Sequence, residues 1–366
     1  CRLCYQEEKH GLASKRTAYN YYYSKFIPDI IQKTESDGSF SEKDIPIKSL
    51  DLRLGNNCNL KCRYCSPIDS NSWADDYVKM NASERDLQED QVELDYNQYK
   101  KYNLKKAESG KWKVDSPDFA WHRNSRFLKD AIDNCHNFDR FYFAGGEPLL
   151  IEAHWNLLRS CIDKGVAKNI SLEYNTNTTL MKDEFIETWS HFKSVSLGCS
   201  IDGTQELAEY LRPPVKWKTI SDNLDLVLRN KRNIQVNITI TISVYNLYGV
   251  LPLMLELYSR GVNTISVHFV TYPEWCSPQI VPTEGKRKLI KDYEVFKRKS
   301  TVLLNGKSHN QVRNILAQIK EHLLENDKSD LIHHFYRLTE KLDSLRNQSF
   351  YEVAPKIHDL LQINKK

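Results

Sequence analysis

The sequence lacks the features of a membrane-spanning, exported or disulfide-rich protein. No apolar run approaches the roughly 18 residues that a membrane-spanning helix needs, and the first residues, 'CRLCYQEEKHGLASKR', include no hydrophobic segment of the signal-peptide type. The nine cysteines are odd in number and unevenly spaced, which is typical of metal ligation in a reducing compartment rather than of a disulfide framework. We therefore predict a cytoplasmic protein with no membrane partner.

An excess of charge of one sign is also missing. The 52 basic and 48 acidic side chains leave a formal net charge of only +4, so the composition indicates no general affinity for nucleic acids or anionic membranes. Apolar residues make up 40% of the 366 residues and charged residues 27%, which is the balance of a soluble globular enzyme. This length suits one large α/β domain with appendages or two ordinary domains.

What the sequence does contain is an alternation of strand and helix patterns. The strand patterns, five of which follow a helical pattern, are 48–54, 138–146, 169–177, 194–202, 234–244 and 262–270. Strands that alternate with helices of about 10 to 15 residues pair in parallel through right-handed crossovers. Six such units predict an α/β fold, either an incomplete barrel or an open doubly wound sheet.

Two regions fall outside this alternation. Residues 66–120 are dense in charged residues and tyrosine, and we interpret 'ERDLQEDQVELDYNQYKKYNLKK' within them as a solvated helix or insertion with little core. After Pro278 the pattern predicts only helices, at about 284–299, 308–325, 329–345 and 350–362.

Four unusual stretches follow strands, at the edge where parallel α/β folds bind their ligands. They are the cysteine-containing 'GNNCNLKCRYCSP' (55–67), 'AGGEP' (144–148), 'NTNTT' (175–179) and 'SIDG' (200–203). We expect them to lie close together, because the carboxyl ends of parallel strands share one edge of the sheet.

The first stretch carries three cysteines and no fourth. Cys58, Cys62 and Cys65 have C-x3-C-x2-C spacing, and thiolates this close in one loop can wrap a soft metal centre, either zinc or an iron-sulfur cluster. A [4Fe-4S] cluster on three cysteines leaves one iron open, which is the mark of a catalytic rather than a structural site. A zinc knuckle with a distant ligand, or simply buried thiols, are the alternatives.

The second stretch, 'AGGEP', places a carboxylate beside two glycines. Gly145 and Gly146 let a ligand come near the main chain, and Pro148 fixes the turn. Backbone carbonyls and Glu147 at this position suit a protonated amine. On its own, such a turn is more often only a tight strand-to-helix connection.

These motifs, in this order, resemble those of the radical S-adenosylmethionine (SAM) superfamily. The cysteine triplet with an aromatic residue, Tyr64, before its last member and 'GGEP' after the second strand carry the resemblance. 'NTNTTL' resembles the T-N-G-T-L turn, and 'SIDG' the S-x-D-G turn, of the branch with SPASM or twitch auxiliary-cluster domains. The correspondence runs over residues 48–275.

The resemblance implies the fold and the division of the chain. Residues 47–278 would form a partial (βα)6 TIM-like barrel with the polar insertion at 66–120. Residues 279–366 would form a helical C-terminal region, and residues 1–46 a partial N-terminal auxiliary-cluster segment.

The resemblance also implies roles for individual residues. Cys58, Cys62 and Cys65 would hold a [4Fe-4S] cluster whose open iron binds the amino and carboxylate groups of SAM. The implied SAM contacts are Gly145, Gly146 and Glu147 for the amino group, Ser200 and Asp202 for the ribose hydroxyls, Tyr64 and Val270 near the adenine, and Arg212 for the carboxylate.

Two departures from the family pattern stand out. Thr178 replaces the usual glycine of the third-strand turn, so we expect a different backbone path there and a different role for Asn177. No cysteine follows Cys276, whereas most SPASM proteins carry their auxiliary ligands there.

The leader resembles another arrangement of extra cysteines. 'CRLCYQEEKHGLASKR' is similar to a C-x2-C-x3-E-x2-G-x2-S-x-R stretch of a twitch-containing group, so Cys1 and Cys4 are candidates for half of an auxiliary cluster site. Because no methionine precedes Cys1, we interpret the sequence as truncated at its N-terminus. Of the other cysteines, Cys276 lies in a loop that we expect near the barrel mouth, which makes it a candidate, though not the favoured interpretation, for a ligand or substrate contact. We expect the remainder to be small buried hydrophobic residues, namely Cys135, Cys161 and Cys199.

The activity that this resemblance implies is reductive cleavage of SAM. An external donor such as flavodoxin or ferredoxin would supply one electron, and the resulting 5'-deoxyadenosyl radical would take a hydrogen atom from the substrate. A peptide or protein side chain is the first expectation, with a sugar, nucleoside or other small metabolite as the alternative. A non-catalytic iron-sulfur or zinc-binding protein is a further alternative, which 'GGEP' and 'SIDG' argue against because such a protein needs no SAM pocket.

Overall fold

The computed structural model describes residues 2–9, 14–41, 46–88, 91–97, 100–230, 233–304 and 306–363. The chain divides into two compact units, Cys1–Lys48 and Ser49–Lys366. Among the described residues, no helix has both the length and the apolar character that crossing a membrane requires.

All strands in the described part of the chain belong to the second unit. They are β1 (Ser49–Arg53), β2 (Gln91–Asn97), β3 (Lys100–Lys106), β4 (Trp112–Val114), β5 (Arg140–Ala144), β6 (Ser171–Thr176), β7 (Ser194–Ser200), β8 (Ile234–Ile242) and β9 (Ile265–Phe269).

The helices of the first unit are α1 (Arg2–Lys9), α2 (Lys15–Tyr22) and α3 (Ile27–Gln32). Those of the second unit are α4 (Ala74–Asn81), α5 (Glu84–Gln88), α6 (Ser125–Asp133), α7 (Glu152–Asp163), α8 (Asp183–Ser190), α9 (Gln205–Leu211), α10 (Trp217–Arg229), α11 (Val250–Ser259), α12 (Thr283–Leu303), α13 (Gly306–Glu325), α14 (Ile332–Arg346), α15 (Phe350–Val353) and α16 (Pro355–Leu361).

Six strands form one parallel sheet in the order β1-β5-β6-β7-β8-β9, which is their order along the chain. A doubly wound sheet reverses its strand order at a switch point, whereas a barrel keeps chain order around its axis. The order therefore decides between the two architectures predicted from the sequence, and the fold is a partial (βα)6 barrel.

The two faces of this sheet differ because successive side chains of a strand point to opposite faces. In β7, Val195, Leu197 and Cys199 are buried, while the residues between them are only partly covered. The partly covered face is polar and is held by contacts between neighbouring strands, such as that from Asn237 Nδ2 to Ser196 Oγ at 2.8 Å. The apolar face forms the core with the helices.

Residues 84–106 were interpreted as a solvated helix or an insertion, and the helix alternative was wrong for most of that segment. Only Glu84–Gln88 is helical, and β2, β3 and β4 form a separate antiparallel sheet. Leu104 and Val114 of this sheet pack with Ala74 and Val78 of α4 in a small second core. The frequent lysine and acidic residues concealed the alternation that places Leu104 inside.

The helical C-terminal region agrees with the predicted pattern apart from one break. The helix expected over 350–362 is two helices, because Pro355 has no N–H to continue the first one and begins α16 instead. Gln311 of α13 donates to the Ile265 carbonyl of β9 at 3.0 Å, so this region packs against the last strand of the barrel.

Candidate functional site

The cysteine loop, residues 54–70, begins where β1 ends and is fastened to the turn that follows β5. Gly146 N–H donates to the Gly55 carbonyl at 2.9 Å, and Glu147 N–H donates to the Asn57 carbonyl at 2.7 Å. The close approach requires glycine at 146, because an added Cβ would lie 2.3 Å from the Asn57 oxygen. The structure thus brings 'GNNCNLKCRYCSP' and 'AGGEP' together, as the strand order predicts.

The other side of the cysteine loop is fastened to the segment after α9. Lys61 N–H donates to the Pro213 carbonyl at 2.6 Å, and Arg63 N–H donates to the Leu211 carbonyl at 2.9 Å. These bonds place the loop between the 'GGEP' turn and the segment that contains Arg212.

The three thiols of the loop lie in or near the protein interior. Cys62 is buried, Cys58 and Cys65 are half-buried, and all three are free. Burial raises the pKa of Cys58 to about 11. A hydrogen bond between the thiols of Cys62 and Cys65 lowers the pKa of Cys62 and raises that of Cys65. The thiolate forms of Cys58 and Cys65 are therefore disfavoured in the protein alone, and a bound metal centre would supply the positive charge that stabilises them.

Two side chains direct N–H groups at the sulfur atoms. Asn177 Nδ2 lies 3.7 Å from Cys58 Sγ, and Arg212 Nη1 lies 3.9 Å from Cys62 Sγ. Hydrogen bonds to ligand sulfurs are one means by which proteins tune an iron-sulfur cluster. Three thiols and these two donors fit the cluster that the sequence predicts.

In the part of the chain that the structure describes, no three His, Cys, Asp or Glu side chains converge as ligands of one ion. The thiolates of a cluster bind different irons, so they do not need to converge on one atom.

Glu147 lies fully buried beside the third-strand turn. Its carboxylate accepts hydrogen bonds from Thr176 Oγ1 at 2.9 Å, from Asn177 N–H at 2.7 Å and from Leu149 N–H at 3.2 Å. Burial raises the pKa of Glu147 to about 7, although these donors favour the charged form. The side chain is therefore fixed in position and gains stability when a cation lies nearby.

Asp202 and Arg212 form a buried ion pair. Arg212 Nε donates to Asp202 Oδ2 at 2.6 Å, and Asp202 Oδ1 accepts from Thr241 N–H at 2.6 Å. Burial raises the pKa of Asp202, while the Arg212 charge opposes the shift. The family resemblance assigns these two residues to different groups of SAM, whereas in the structure they bind each other.

The remaining predicted contacts lie at the same edge of the sheet. Ser200 ends β7 in register with Thr239, and Val270 follows β9, where its N–H donates to the Ile242 carbonyl at 2.9 Å. Tyr64 is half-buried and packs against the main core. Thr178 adopts a φ of +64°, a left-handed conformation that glycine adopts without strain.

The three other cysteines predicted as possible ligands are Cys1, Cys4 and Cys276. Cys276 is fully buried in the loop after β9, so it is not exposed at the barrel mouth. Cys1 lies outside the described residues, and Cys4 is a half-buried residue of α1. In the same unit, Glu8 accepts hydrogen bonds from Ser14 and Arg16. These three residues are the glutamate, serine and arginine of the leader motif.

Arg63, inside the cysteine loop, makes a buried ion pair that the sequence patterns did not reveal. It donates to Asp343 of α14 and, at 2.9 Å, to Gln348. Its guanidinium lies 3.5 Å from the centroid of the Tyr210 ring, a cation-π distance. Asp343 is 280 residues from Arg63 along the chain, so no local pattern relates the two residues.

Asp76 provides a second link between the loop and α14. Its two carboxylate oxygens contact Lys61 Nζ at 2.8 Å and Arg346 Nε at 3.0 Å. The cysteine loop is therefore held by charge on the C-terminal helices as well as by backbone hydrogen bonds.

We expect Asp343→Ala to destabilise the fold by about 3 kcal/mol, because removing one partner leaves the Arg63 charge buried and unpaired. Asp222→Ala is the matched control: it breaks the exposed Lys218–Asp222 pair and should cost less than about 1 kcal/mol. Denaturant unfolding of both variants measures the difference. Equal stability of the two variants would contradict the importance of this pair.

A sequence model of the Radical SAM superfamily matches residues 52–248, which is more than half of the chain. The chain therefore belongs to the radical SAM superfamily of enzymes. Membership of this family implies a [4Fe-4S] cluster and SAM, in agreement with the thiols and donors described above.

The chain is similar to an uncharacterized protein of Methanocaldococcus jannaschii. The two are 27% identical over 229 residues, which are 60% of this chain and 62% of the relative. The chain thus spans less than two thirds of that relative's length.

Three solved structures are also similar to this chain. anSMEcpe with bound AdoMet is 18% identical, with a TM-score of 0.42 over 69% of this chain and 61% of that one. Streptococcus suis SuiB is 18% identical, with a TM-score of 0.37 over 61% and 40%. The radical S-adenosylmethionine methyltransferase TsrM of Kitasatospora setae is 12% identical, with a TM-score of 0.34 over 64% and 37%.

Proposed function

We propose that this chain cleaves SAM reductively with a [4Fe-4S] cluster on Cys58, Cys62 and Cys65, and so removes a hydrogen atom from a peptide or protein side chain. The observation that carries the proposal is the cysteine loop itself, which backbone hydrogen bonds hold between the 'GGEP' turn and the segment around Arg212. When bound, the cluster would supply the electron that divides SAM into methionine and a 5'-deoxyadenosyl radical.

The side chains around the thiols have two tasks in this proposal. Asn177 and Arg212 stabilise thiolate charge on Cys58 and Cys62 through their N–H groups. Asp202 neutralises Arg212 and fixes its orientation, since the ion pair is buried. The arginine therefore remains directed at Cys62 without leaving an isolated charge in the interior.

The 'GGEP' turn would receive the amino group of SAM. Glu147 is held by three donors and has a raised pKa, so a bound ammonium group would favour its charged form. Ser200, Tyr64 and Val270 keep the ribose and adenine roles that the family resemblance implies. Their positions at the carboxyl edge of β7, in the cysteine loop and after β9 suit a ligand spread across that edge.

Three further features belong to the proposal. An external carrier of the flavodoxin or ferredoxin type would supply the electron, and the reaction would take place in the cytoplasm. Cys1 and Cys4 would contribute to an auxiliary cluster of the twitch or SPASM type. A second cluster would raise the iron content from about four to about eight atoms per chain.

Anaerobic reconstitution tests the proposal directly. Protein loaded with iron and sulfide, then given dithionite and SAM, should form 5'-deoxyadenosine and methionine in equal amounts, as measured by chromatography with mass detection. Iron should reach at least about four atoms per chain. A fully loaded protein that forms no 5'-deoxyadenosine would contradict the proposed function.

A further inference from the structure

A cavity of about 600 Å³ opens beside Cys65. Its walls come from the cysteine loop, α4, the loop after β9 and α14. Of the described residues predicted to bind the cluster or SAM, only Tyr64 and Cys65 line it, whereas Glu147, Ser200 and Asp202 do not. The cavity is therefore distinct from most of the SAM site, although it borders the third cluster ligand.

The charge of the cavity wall is predominantly positive. Arg63, Arg337 and Lys341 line it, and the acidic residue in the lining is Asp69. Asp69 already accepts hydrogen bonds from the N–H and the hydroxyl of Ser66, at 2.8 and 2.9 Å. The Arg63 charge is neutralised by Asp343. Arg337 and Lys341, on the same helix and four residues apart, therefore provide a wall that attracts an anionic group.

Aromatic side chains form much of the remaining wall. Tyr64, Trp73 and Trp275 all line the cavity, and Trp73 is fixed by a hydrogen bond from its Nε1 to the Cys62 carbonyl at 2.7 Å. Rigid aromatic walls favour a flat or apolar group, which gains from ring stacking as well as from burial. A volume of about 600 Å³ lies in the usual range for ligand sites.

We propose that this cavity is the substrate pocket of the proposed reaction, and that it takes an acidic peptide segment with an aromatic side chain. Arg337 and Lys341 pair with the acidic group, while Tyr64, Trp73 and Trp275 contact the aromatic group. The proposal rests on the proposed function, because the 5'-deoxyadenosyl radical must reach the substrate, and Tyr64, the predicted adenine contact, lines this cavity.

A binding experiment tests the pocket without requiring catalysis. The reconstituted full chain is titrated with the peptide acetyl-Glu-Tyr-Glu-amide and, separately, with its neutral counterpart acetyl-Gln-Tyr-Gln-amide, while tryptophan fluorescence and calorimetry record binding. We expect the acidic peptide to bind at least about tenfold more tightly, since a paired charge is lost in the neutral one. Raising the salt concentration should reduce this difference.

Charge-reversal variants test whether the acidic peptide binds in this cavity. The double variant Arg337→Glu/Lys341→Glu should bind the acidic peptide at least about tenfold more weakly. Lys291→Glu, which reverses an exposed charge of α12 that does not line the cavity, should leave the affinity unchanged. Circular dichroism of both variants checks that they remain folded.

Three outcomes would overturn the pocket proposal. They are equal affinity for the two peptides, unchanged affinity in the double variant, and binding of inorganic phosphate where the acidic peptide does not bind. The last would assign the cavity to a phosphorylated small molecule instead. Because SAM cleavage by the wild-type protein is measured separately, failure of the proposed function is distinguishable from failure of this pocket.

Discussion

Cys62→Ala is expected to remove nearly all formation of 5'-deoxyadenosine, to below about 1% of the wild-type rate, because a [4Fe-4S] cluster held by three thiolates has no spare ligand. Cys62 is the most deeply buried of the three thiols, at 6% exposure. Its sulfur also faces Arg212. The substitution would therefore remove one ligand of the proposed cluster and the sulfur contact of Arg212, while the ion pair of Arg212 with Asp202 remains.

The control for this substitution is another buried thiol. Cys161 is fully buried in α7 and belongs to none of the stretches that meet at the carboxyl edge of the sheet. Cys161→Ala should cost about 1 kcal/mol of stability, yet it should keep the full iron content and the wild-type rate. Iron analysis, the absorbance of the reconstituted protein and the rate of 5'-deoxyadenosine formation are measured on both variants.

The comparison of the two variants separates a ligand from a packing residue. Loss of iron and activity in Cys62→Ala alone is the expected result. Comparable iron content and activity in Cys62→Ala and wild type would exclude Cys62 as a ligand. Comparable losses in both variants would show that the fold, rather than the site, responds to removal of a thiol.

The barrel was predictable because its signals are local. The pattern 'IQVNITITISV' alternates apolar and polar residues, and the strand it forms, Ile234–Ile242, has its isoleucines buried and its polar residues between them. The proximity of the four stretches that follow the strands was predictable for a related reason, because the carboxyl ends of parallel strands lie at one edge of the sheet. The succession of strand patterns along the sequence, however, does not show which strands are neighbours in the sheet, so it did not distinguish a barrel from a doubly wound sheet.

What escaped the sequence patterns depends on contacts between distant residues. Arg63 is adjacent to a predicted ligand, yet its partner Asp343 lies 280 residues away. The mutual pairing of Asp202 and Arg212 was missed for another reason: the family resemblance assigned each residue to the cosubstrate, and charge in the sequence does not identify its partner. Both cases concern buried charge, whose compensation is set by the tertiary structure.

The small antiparallel sheet shows a different limit. Its strand Lys100–Lys106 contains lysines on both sides of Tyr102 and Leu104, so the charged residues dominate the composition. Only Leu104 of this pair is fully buried. A single buried residue in a short strand gives too weak an alternation to distinguish the strand from a solvated helix.

Gly146→Ala is expected to reduce 5'-deoxyadenosine formation by about 100-fold, the cost of displacing a catalytic group by roughly 1 Å. The new Cβ would lie 2.3 Å from the oxygen and 2.6 Å from the carbon of the Asn57 carbonyl group. Both atoms are backbone and cannot rotate away, so the cysteine loop itself must move. Asn57 directly precedes Cys58, and the displacement therefore reaches the first thiol.

Gly165→Ala provides the contrasting control, because it tests backbone strain without a clash. Gly165 has a φ of +69°, and an added Cβ there would meet no atom within 4 Å. This substitution should cost about 1 kcal/mol of stability and leave the rate unchanged. Gly146 has no positive φ, so its substitution tests the clash alone. If Gly146→Ala retained the wild-type rate and iron content, the contact between the 'GGEP' turn and the cysteine loop would not position the cluster ligands.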